Sequence, residues 1–522
     1  MTLAKLNTTT YAAPEDMDGG RLQAALAAHF RTSSEARRPY RVSYFDTFDW
    51  RCYRAGFRLR FAPGARGAVL SWLAGEDERR FQWATRSVPP FAGAFSDGPL
   101  RRALSPVLQM RRLLPVVELK VNRWRLRILD RRDKTVVWLE LEHAVARAPG
   151  GSQDPVALPP LLELRPVRGY AKAHRRVMRF LETELELSEM PDRELDRALA
   201  AIGRQAGDYT SKVVIDLDPA MPAADATKRI HRELLAAMRR NEPGTRKDLD
   251  SEFLHDFRVA VRRSRSALTQ IKKVYPEEAI ARFKPELAWL GSITGPTRDL
   301  DVYLLKMEDY QKGLSAERQS QLEPLVEHLR GAQRRAQKRM VRAMSSKRYR
   351  ELIDGWERFL HEPSALESPQ NAARPIAEVA SERIWKVYRR VIKNGSAIDD
   401  DTPADPIHEL RIECKKLRYL MEFFRGFYDR EAIGRVIKSL KRLQDNLGTF
   451  NDCEVQRGGL IGFAEEMQRE GEAPVTTLMA IGRLADDLEA GQAHERRIFG
   501  ERFAAFSQPH NQRLARQLFA SG

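Results

Sequence analysis

The sequence predicts an α+β protein of more than one domain, with a mainly β N-terminal region followed by an all-α remainder. Three observations carry this expectation. Apolar residues recur with a period of two between about residues 40 and 145, and the spacing changes to three and four from about residue 190 onward. The chain of 522 residues also exceeds what one hydrophobic core usually serves. In the first region the segments "YRVSYFDT", "FRLRF", "AVLSW" and "TVVWLELEH" are short, rich in aromatic or β-branched residues, and separated by Gly, Pro or charged turns. In "FRLRF", Phe57, Leu59 and Phe61 alternate with Arg58 and Arg60. In "RWRLRIL", Trp124, Leu126 and Ile128 alternate with Arg123, Arg125 and Arg127, so each strand carries an arginine row on one face. Such rows either face water, as one side of an antiparallel sheet commonly does, or line a channel for an anionic chain when a barrel turns them inward.

The stretch "GDYTSKVVIDLDPAMPAAD", residues 207 to 225, reads as a connection. Beyond it, helices are expected over residues 226–241, 252–274, 316–345, 376–393, 406–427 and 431–447. Lys plus Arg number 89 against 72 Asp plus Glu, for a net charge of +17 and a pI near 9.8, which points to a polyanionic partner. Nucleic acid, inorganic phosphate polymers and acidic membranes all satisfy that charge. Cys52, Cys414 and Cys453 are too few and too scattered for a disulfide framework or a Cys-based zinc site, so a reducing compartment is expected. No run of 18 apolar residues occurs, and the expectation is a cytoplasmic protein with no membrane partner.

An internal repeat organises the helical part. A shift of 153 residues lays "HDFRVAVRRSRSAL" from His255 onto "HELRIECKKLRYLM" from His408. The shift continues without a gap through "YPEEAIAR" on "YDREAIGR" and "GPTRDLDV" on "GTFNDCEV", with 13 identities in 48 positions. Chance at ordinary composition would give about three. A repeat longer than about 100 residues predicts two similar helical bundles facing one another rather than a solenoid.

On a helix, His255, Arg258, Arg262 and Arg265 fall within about 80° of one another, with Arg263 beside them. Phe257, Val261, Leu268 and Ile271 take the opposite side. In the second copy His408, Arg411, Lys415 and Arg418 share a face, flanked by Lys416, with Leu410, Cys414, Leu417 and Met421 opposite. Amphipathic helices always have a polar face, but a generic one mixes signs. Like charges three or four residues apart repel by a few tenths of a kcal/mol each, roughly, so two all-basic stripes carry a standing cost that a bound anion would offset. Lone histidines such as His29 and His328 have no such company in the sequence. Asp299 and Asp452 either orient arginines or, since each follows a Gly-containing loop, stabilise helix starts, and the second role is the one expected.

Two resemblances follow from these motifs. The histidine-led basic helix, followed after about forty residues by "TRDLDVYL" or "FNDCEVQ", resembles the CHAD family over about residues 221 to 510. That resemblance implies an all-α domain of two pseudo-symmetric helical bundles, about 221–350 and 375–510, that binds inorganic polyphosphate. It places the role on His255, Arg258, Arg262, Arg263, Arg265, His408, Arg411, Lys415, Lys416 and Arg418. The run "YFDTFDWRCYRAGFRLRF", with "ELKVNRWRLRILD", "WLELEHA" and "LLELRPVRGYAKAHRRVMRFL" downstream, resembles the CYTH family of triphosphate-tunnel proteins over about residues 1 to 195, leaving 196–220 as linker. This implies an antiparallel β-barrel tunnel, in which Arg58, Arg60, Arg123, Arg125 and Arg127 would meet the anion.

The chain departs from the catalytic members of that second family. They begin with a strand bearing Glu-x-Glu-x-Lys, whereas this chain has "TLAKLNTTTY" and no acidic residue before Glu15. Glu140 and Glu142 share a face, but two carboxylates make a poor site for Mg²⁺ or Mn²⁺, which take several oxygen ligands. No cofactor is therefore expected, and the leading expectation is a non-catalytic polyphosphate binder associated with polyphosphate granules. The alternatives are a Mg²⁺- or Mn²⁺-dependent triphosphatase acting in the tunnel and a generic nucleic-acid or polyanion binder. Against nucleic acid, the basic stripes carry little aromatic interleaving beyond Tyr419.

Overall fold

The computed structural model describes residues 8–64, 67–74, 81–151, 154–190, 194–211, 215–312, 314–364, 369–399 and 401–520. It divides into two compact units, Met1–Ser211 and Lys212–Gly522.

The first unit is an antiparallel sheet with short helices. Its strands are β1 (Thr9–Ala12), β2 (Arg31–Ser34), β3 (Arg38–Asp46), β4 (Phe57–Gly64), β5 (Gly67–Ala74), β6 (Phe81–Ala84), β7 (Leu114–Leu129), β8 (Thr135–Arg147), β9 (Val156–Ala157) and β10 (Leu161–Pro166). The helices are α1 (Gly19–Ala27), α2 (Arg51–Arg54), α3 (Pro99–Leu108), α4 (Ala171–Thr183) and α5 (Glu194–Ala201). The strands run β1-β10-β8-β7-β3-β4-β5-β6, with β2 also on β7 and β9 on β8. Among the described residues β1 and β6 do not pair, so the sheet is open where a closed barrel was expected. Residues 1–7, half of the expected first strand, and 75–80, between β5 and β6, lie outside the described residues.

One face of the sheet packs Leu126, Ile128, Leu139, Leu141, Leu162 and Leu164 against α1 and α4. On the other, α5 lays Leu195, Ala198 and Leu199 over Val42, Tyr44, Val117 and Val121. A helix thus occupies the beginning of the stretch expected to be linker. The "YFDT" motif is a capping device. The buried Asp46 carboxylate accepts from the backbone N–H groups of Thr47, Cys52 and Tyr53 at 2.7–2.9 Å, closing α2. Burial raises its pKa to about 6 while those three amides oppose the shift. Gly56, at φ +81°, then makes the left-handed turn into β4 that a side chain would resist.

The second unit is all-helical: α6 (Ala223–Arg246), α7 (Ser251–Gln270), α8 (Glu277–Ile293), α9 (Gly295–Lys312), α10 (Ala316–Met344), α11 (Lys347–His361), α12 (Ile376–Gly395), α13 (Ala404–Phe423), α14 (Arg430–Arg469), α15 (Val475–Phe506) and α16 (Pro509–Phe519). The sequence repeat becomes a pseudo-twofold. Pro222 and Pro375, 153 residues apart, form an antiparallel bridge. Around it Ala223 N–H donates to Arg374 O and Ile376 N–H to Met221 O, both at 2.9 Å, so each bond is the symmetry image of the other. The apolar faces of α7 and α13 enter one continuous core shared by both copies, with Phe257, Val261, Leu268 and Ile271 at most 4% exposed and Leu410, Cys414, Leu417 and Met421 at 0%.

The copies differ in one respect. The first breaks between α8 and α9 at Thr294, before Gly295-Pro296, because Pro296 cannot donate and its ring crowds the preceding turn. The second has Thr449 where Pro296 stands, and α14 runs unbroken for 40 residues. Asp452 therefore lies far inside α14 and starts no helix, unlike the expectation, whereas Asp299 does lie near the start of α9.

Candidate polyanion-binding surface

Each basic stripe is positioned by its own helix. Asp250 caps α7 by accepting from Glu252 N–H and Phe253 N–H at 3.0 and 3.2 Å, and the apolar side locks the rotation. Arg262 and Arg265 are exposed, while His255, Arg258 and Arg263 are half-buried. On α13, His408 is exposed and Arg411, Lys415, Lys416 and Arg418 are half-buried.

The two helices meet along these stripes. The Arg263 guanidinium pairs with Glu422 of α13, and Arg418 reaches the same carboxylate at 3.8 Å. Both guanidinium carbons stand 5.6 Å from the ring centre of Tyr419, so one acid and one aromatic ring hold an arginine from each copy. The symmetry counterpart of Arg263–Glu422 would be Lys416 with Thr269, where no carboxylate exists to neutralise the cation.

Burial, the Arg411 charge and then the Arg262 charge push the Lys415 pKa down to about 8, with Asp452 opposing. Lys415 is the pseudo-twofold mate of Arg262, so like charges confront one another across the axis. Arg258 is lowered to about 10 by burial and by Arg262, Arg298 and Arg265, with Asp299 opposing. Its Nη1 donates to Gly291 O at 2.8 Å and to Thr294 Oγ1 at 2.9 Å. Arg411 Nη2 donates to Asp452 Oδ1 at 3.1 Å, and His408 Nδ1 lies 2.5 Å from Asn451 Oδ1. Asp452 thus orients Arg411 in the second copy. Asp299, whose pKa burial raises, lies in the fields of Arg258 and Arg298.

Among the described residues Arg262, Arg265, Lys415 and Lys416 make no ion pair with a carboxylate. The structure brings Arg262 of one stripe near Lys415 of the other, and Arg263 near Arg418. His255 and His408 lie nearer the N-terminal ends of their helices. Two contributors escaped the sequence reading. Arg298 donates to Ser251 O at 3.1 Å and adds to the field at Arg258. Glu422 is the shared anchor, and its place four residues after Arg418 was the available signal.

The arginine rows of the sheet have different company. Cross-strand register puts Arg123 beside Glu142 and Arg125 beside Glu140. Arg123 Nε donates to Glu142 Oε1 at 2.5 Å, and Arg125 Nε to Glu140 Oε1 at 2.7 Å. Tyr40 OH also donates to Glu142, at 2.8 Å, and Arg165 stands 3.3 Å from Glu140. Arg60 pairs with Glu194 of α5 at 3.2 Å, and Arg127 donates to Ser33 Oγ at 2.9 Å. Arg58 is half-buried on the Arg60 face. Glu140 and Glu142, the weak metal candidates, already serve guanidinium groups, which leaves a divalent ion little free carboxylate.

Fold and geometry together define the class of the second unit: a pseudo-symmetric all-helical module with a cationic seam between its halves. Residues 229–460 match the CHAD domain family, and this part of the chain is a CHAD domain, of a family associated with polyphosphate binding. Two uncharacterized proteins of Mycobacterium tuberculosis, from strains CDC 1551 / Oshkosh and H37Rv, are 26% identical over 304 residues, covering 56% of this chain. The chain spans 56% of the length of these curated relatives. Among solved structures, the chain is similar to the CHAD domain from the plant Ricinus communis, at 24% identity and a TM-score of 0.43, over 60% of this chain and 96% of that one. It is also similar to PptA from Streptomyces chartreusis, at 18% identity and a TM-score of 0.43, over 54% of this chain and 99% of that one. No helix among the described residues is long and apolar enough to cross a membrane.

Proposed function

We propose that the helical unit binds inorganic polyphosphate along the seam between α7 and α13, without cleaving it. The observation that carries this reading is the confrontation of Arg262 and Lys415 across the pseudo-twofold axis, where burial and like charge hold Lys415 near pKa 8. An arrangement that disfavours its own charged state is relieved by an anion at the axis. Ten turns of backbone are not needed for such a ligand: residues 255 to 265 span about 15 Å, enough to follow several phosphates. Arginine forks would grip pairs of phosphate oxygens, and Lys415 and Lys416 would act as point charges.

The proposed site comprises His255, Arg258, Arg262, Arg263, Arg265, His408, Arg411, Lys415, Lys416 and Arg418. Arg263, Arg411 and Arg418 double as the frame, because each already holds a carboxylate. For the first unit we propose a CYTH-like sheet that no longer hydrolyses triphosphate. Its support is the engagement of Glu140 and Glu142 by arginines. A cytoplasmic place on polyphosphate granules would follow from such a ligand.

The test is a competition series in which polyphosphates of graded length and single-stranded RNA displace a labelled polyphosphate at several salt concentrations. The expected result is preference for polyphosphate over RNA at equal charge, with affinity falling steeply with salt as counterions are released. Equal competition per charge by RNA would reduce the seam to a general polyanion site. Phosphate release from tripolyphosphate with Mg²⁺ or Mn²⁺ would overturn the non-catalytic assignment.

A further inference from the structure

Outside the seam, α10 and the C-terminal end of α14 enclose a different kind of site. His328 of α10 is 7% exposed, with its side chain at 3%. The ring packs on Phe463, with centroids 6.1 Å apart. Its Nε2 makes no hydrogen bond and faces Glu466 Oε2 at 3.6 Å, while Nδ1 faces Glu470 Oε2 at 3.9 Å. The turn after α14 adds Glu472. A ring nitrogen and one oxygen from each of Glu470 and Glu472 all lie within 4.8 Å of one another. These residues line a cavity of about 320 Å³ together with Pro324, Glu327, Gly331 and Arg335.

We propose that His328, Glu470 and Glu472 form a binding site for one divalent transition-metal ion of the Zn²⁺ class. Three physical facts converge on it. A ring nitrogen buried without a hydrogen bond is costly, and a metal on Nδ1 would fix the proton on Nε2, the unpartnered nitrogen, where it points at Glu466. The 3.9 Å between Nδ1 and Glu470 Oε2 is too long for a hydrogen bond, yet near the roughly 3.4 Å between neighbouring ligands of a tetrahedral ion with bonds of about 2.1 Å. Finally, the carboxylates of Glu466, Glu470 and Glu472 gather at the C-terminal end of a 40-residue helix, where the macrodipole disfavours negative charge and a cation offsets it.

The turn itself fixes the geometry. Gly471 at φ +71° lets Glu472 N–H donate back to Met467 O at 2.9 Å, which folds Glu472 beside Glu470. Glu466, on the Nε2 side, would steer the ring from behind, as carboxylates commonly do for ligating histidines. Water would complete the coordination. Glu327 is drawn away by Arg330 at 2.6 Å, and Arg335 lies over Gly331 on the cavity rim, the competing cation in this neighbourhood.

The test titrates the full, untagged chain with Zn²⁺ against a chromophoric chelator and compares His328→Ala, Glu470→Gln and Glu472→Gln. The wild type is expected to bind one Zn²⁺ that each variant loses by at least about tenfold in affinity, with melting raised by Zn²⁺ in the wild type only. Glu470 is 47% exposed, so Glu470→Gln keeps the core intact should His328→Ala fail to fold. Zn²⁺ binding that is absent from the wild type, or unchanged in folded Glu470→Gln and Glu472→Gln, overturns the site.

Discussion

The sheet and the helical seam each carry basic residues in a row on one face, yet their charges are spent differently. On β7, Arg123 and Arg125 each meet a glutamate on β8, and Arg60 meets Glu194 from α5. On α7 and α13, Arg262, Arg265, Lys415 and Lys416 meet no carboxylate among the described residues, and two of them press on each other instead. A row of arginines therefore signals nothing by itself. What matters is whether the neighbouring element returns the charge, and that depends on strand register in one case and on a pseudo-twofold axis in the other.

The sharpest way to break this comparison is to neutralise equal charge in each region. Arg262→Gln with Lys415→Gln is expected to weaken polyphosphate binding about a hundredfold at low salt, at roughly 1.4 kcal/mol per cation, measured by anisotropy titration. Arg123→Gln with Arg125→Gln should change affinity less than about threefold, because those cations are already paired. Their effect should instead appear in a denaturant melt as a loss of about 2 kcal/mol, since Glu140 and Glu142 would lose their partners. Similar affinity losses in both regions would erase the distinction.

Next in size is a pH effect. In the free protein Lys415 has its pKa near 8, below the ordinary lysine value, and a bound anion would restore it upward. Binding then takes up a proton between about pH 8 and the ordinary range. Affinity should hold below pH 8 and fall several-fold by about pH 9.5, and Lys415→Arg should flatten the profile. By the same sign, the free fold should gain stability as pH rises from about 8, where the folded state sheds the strained charge first.

A smaller effect is expected at the anchor. Glu422→Gln frees Arg263 and Arg418, so affinity should rise about two- to threefold while stability falls by about 1 kcal/mol, separable by anisotropy and thermal melting. The smallest belongs to Glu194→Gln, which removes the partner of Arg60 and one acceptor of Tyr44. A drop of about 1 kcal/mol in stability without measurable change in polyphosphate affinity is expected.

Much of the helical site was legible beforehand because it is periodic and duplicated. Phe257 and Leu268, or Leu410 and Leu417, mark a buried side, and helical geometry then leaves the basic residues no choice of face. The repeat offset of 153 residues recurs in the bridge between Pro222 and Pro375. Asp452 was misread because Gly448, four residues upstream, looks in sequence like part of a loop, whereas it sits inside an uninterrupted helix.

By itself the sequence determined the change from β to α, the duplication, and the face on which each arginine lies, since these follow from local period and from self-similarity. Only the tertiary structure decided that the sheet stays open among the described residues, that Glu194 reaches Arg60, that Arg262 confronts Lys415, and that His328 meets Glu470. The last three join residues from different elements, more than 100 positions apart, and no local pattern encodes which surfaces a folded chain will press together.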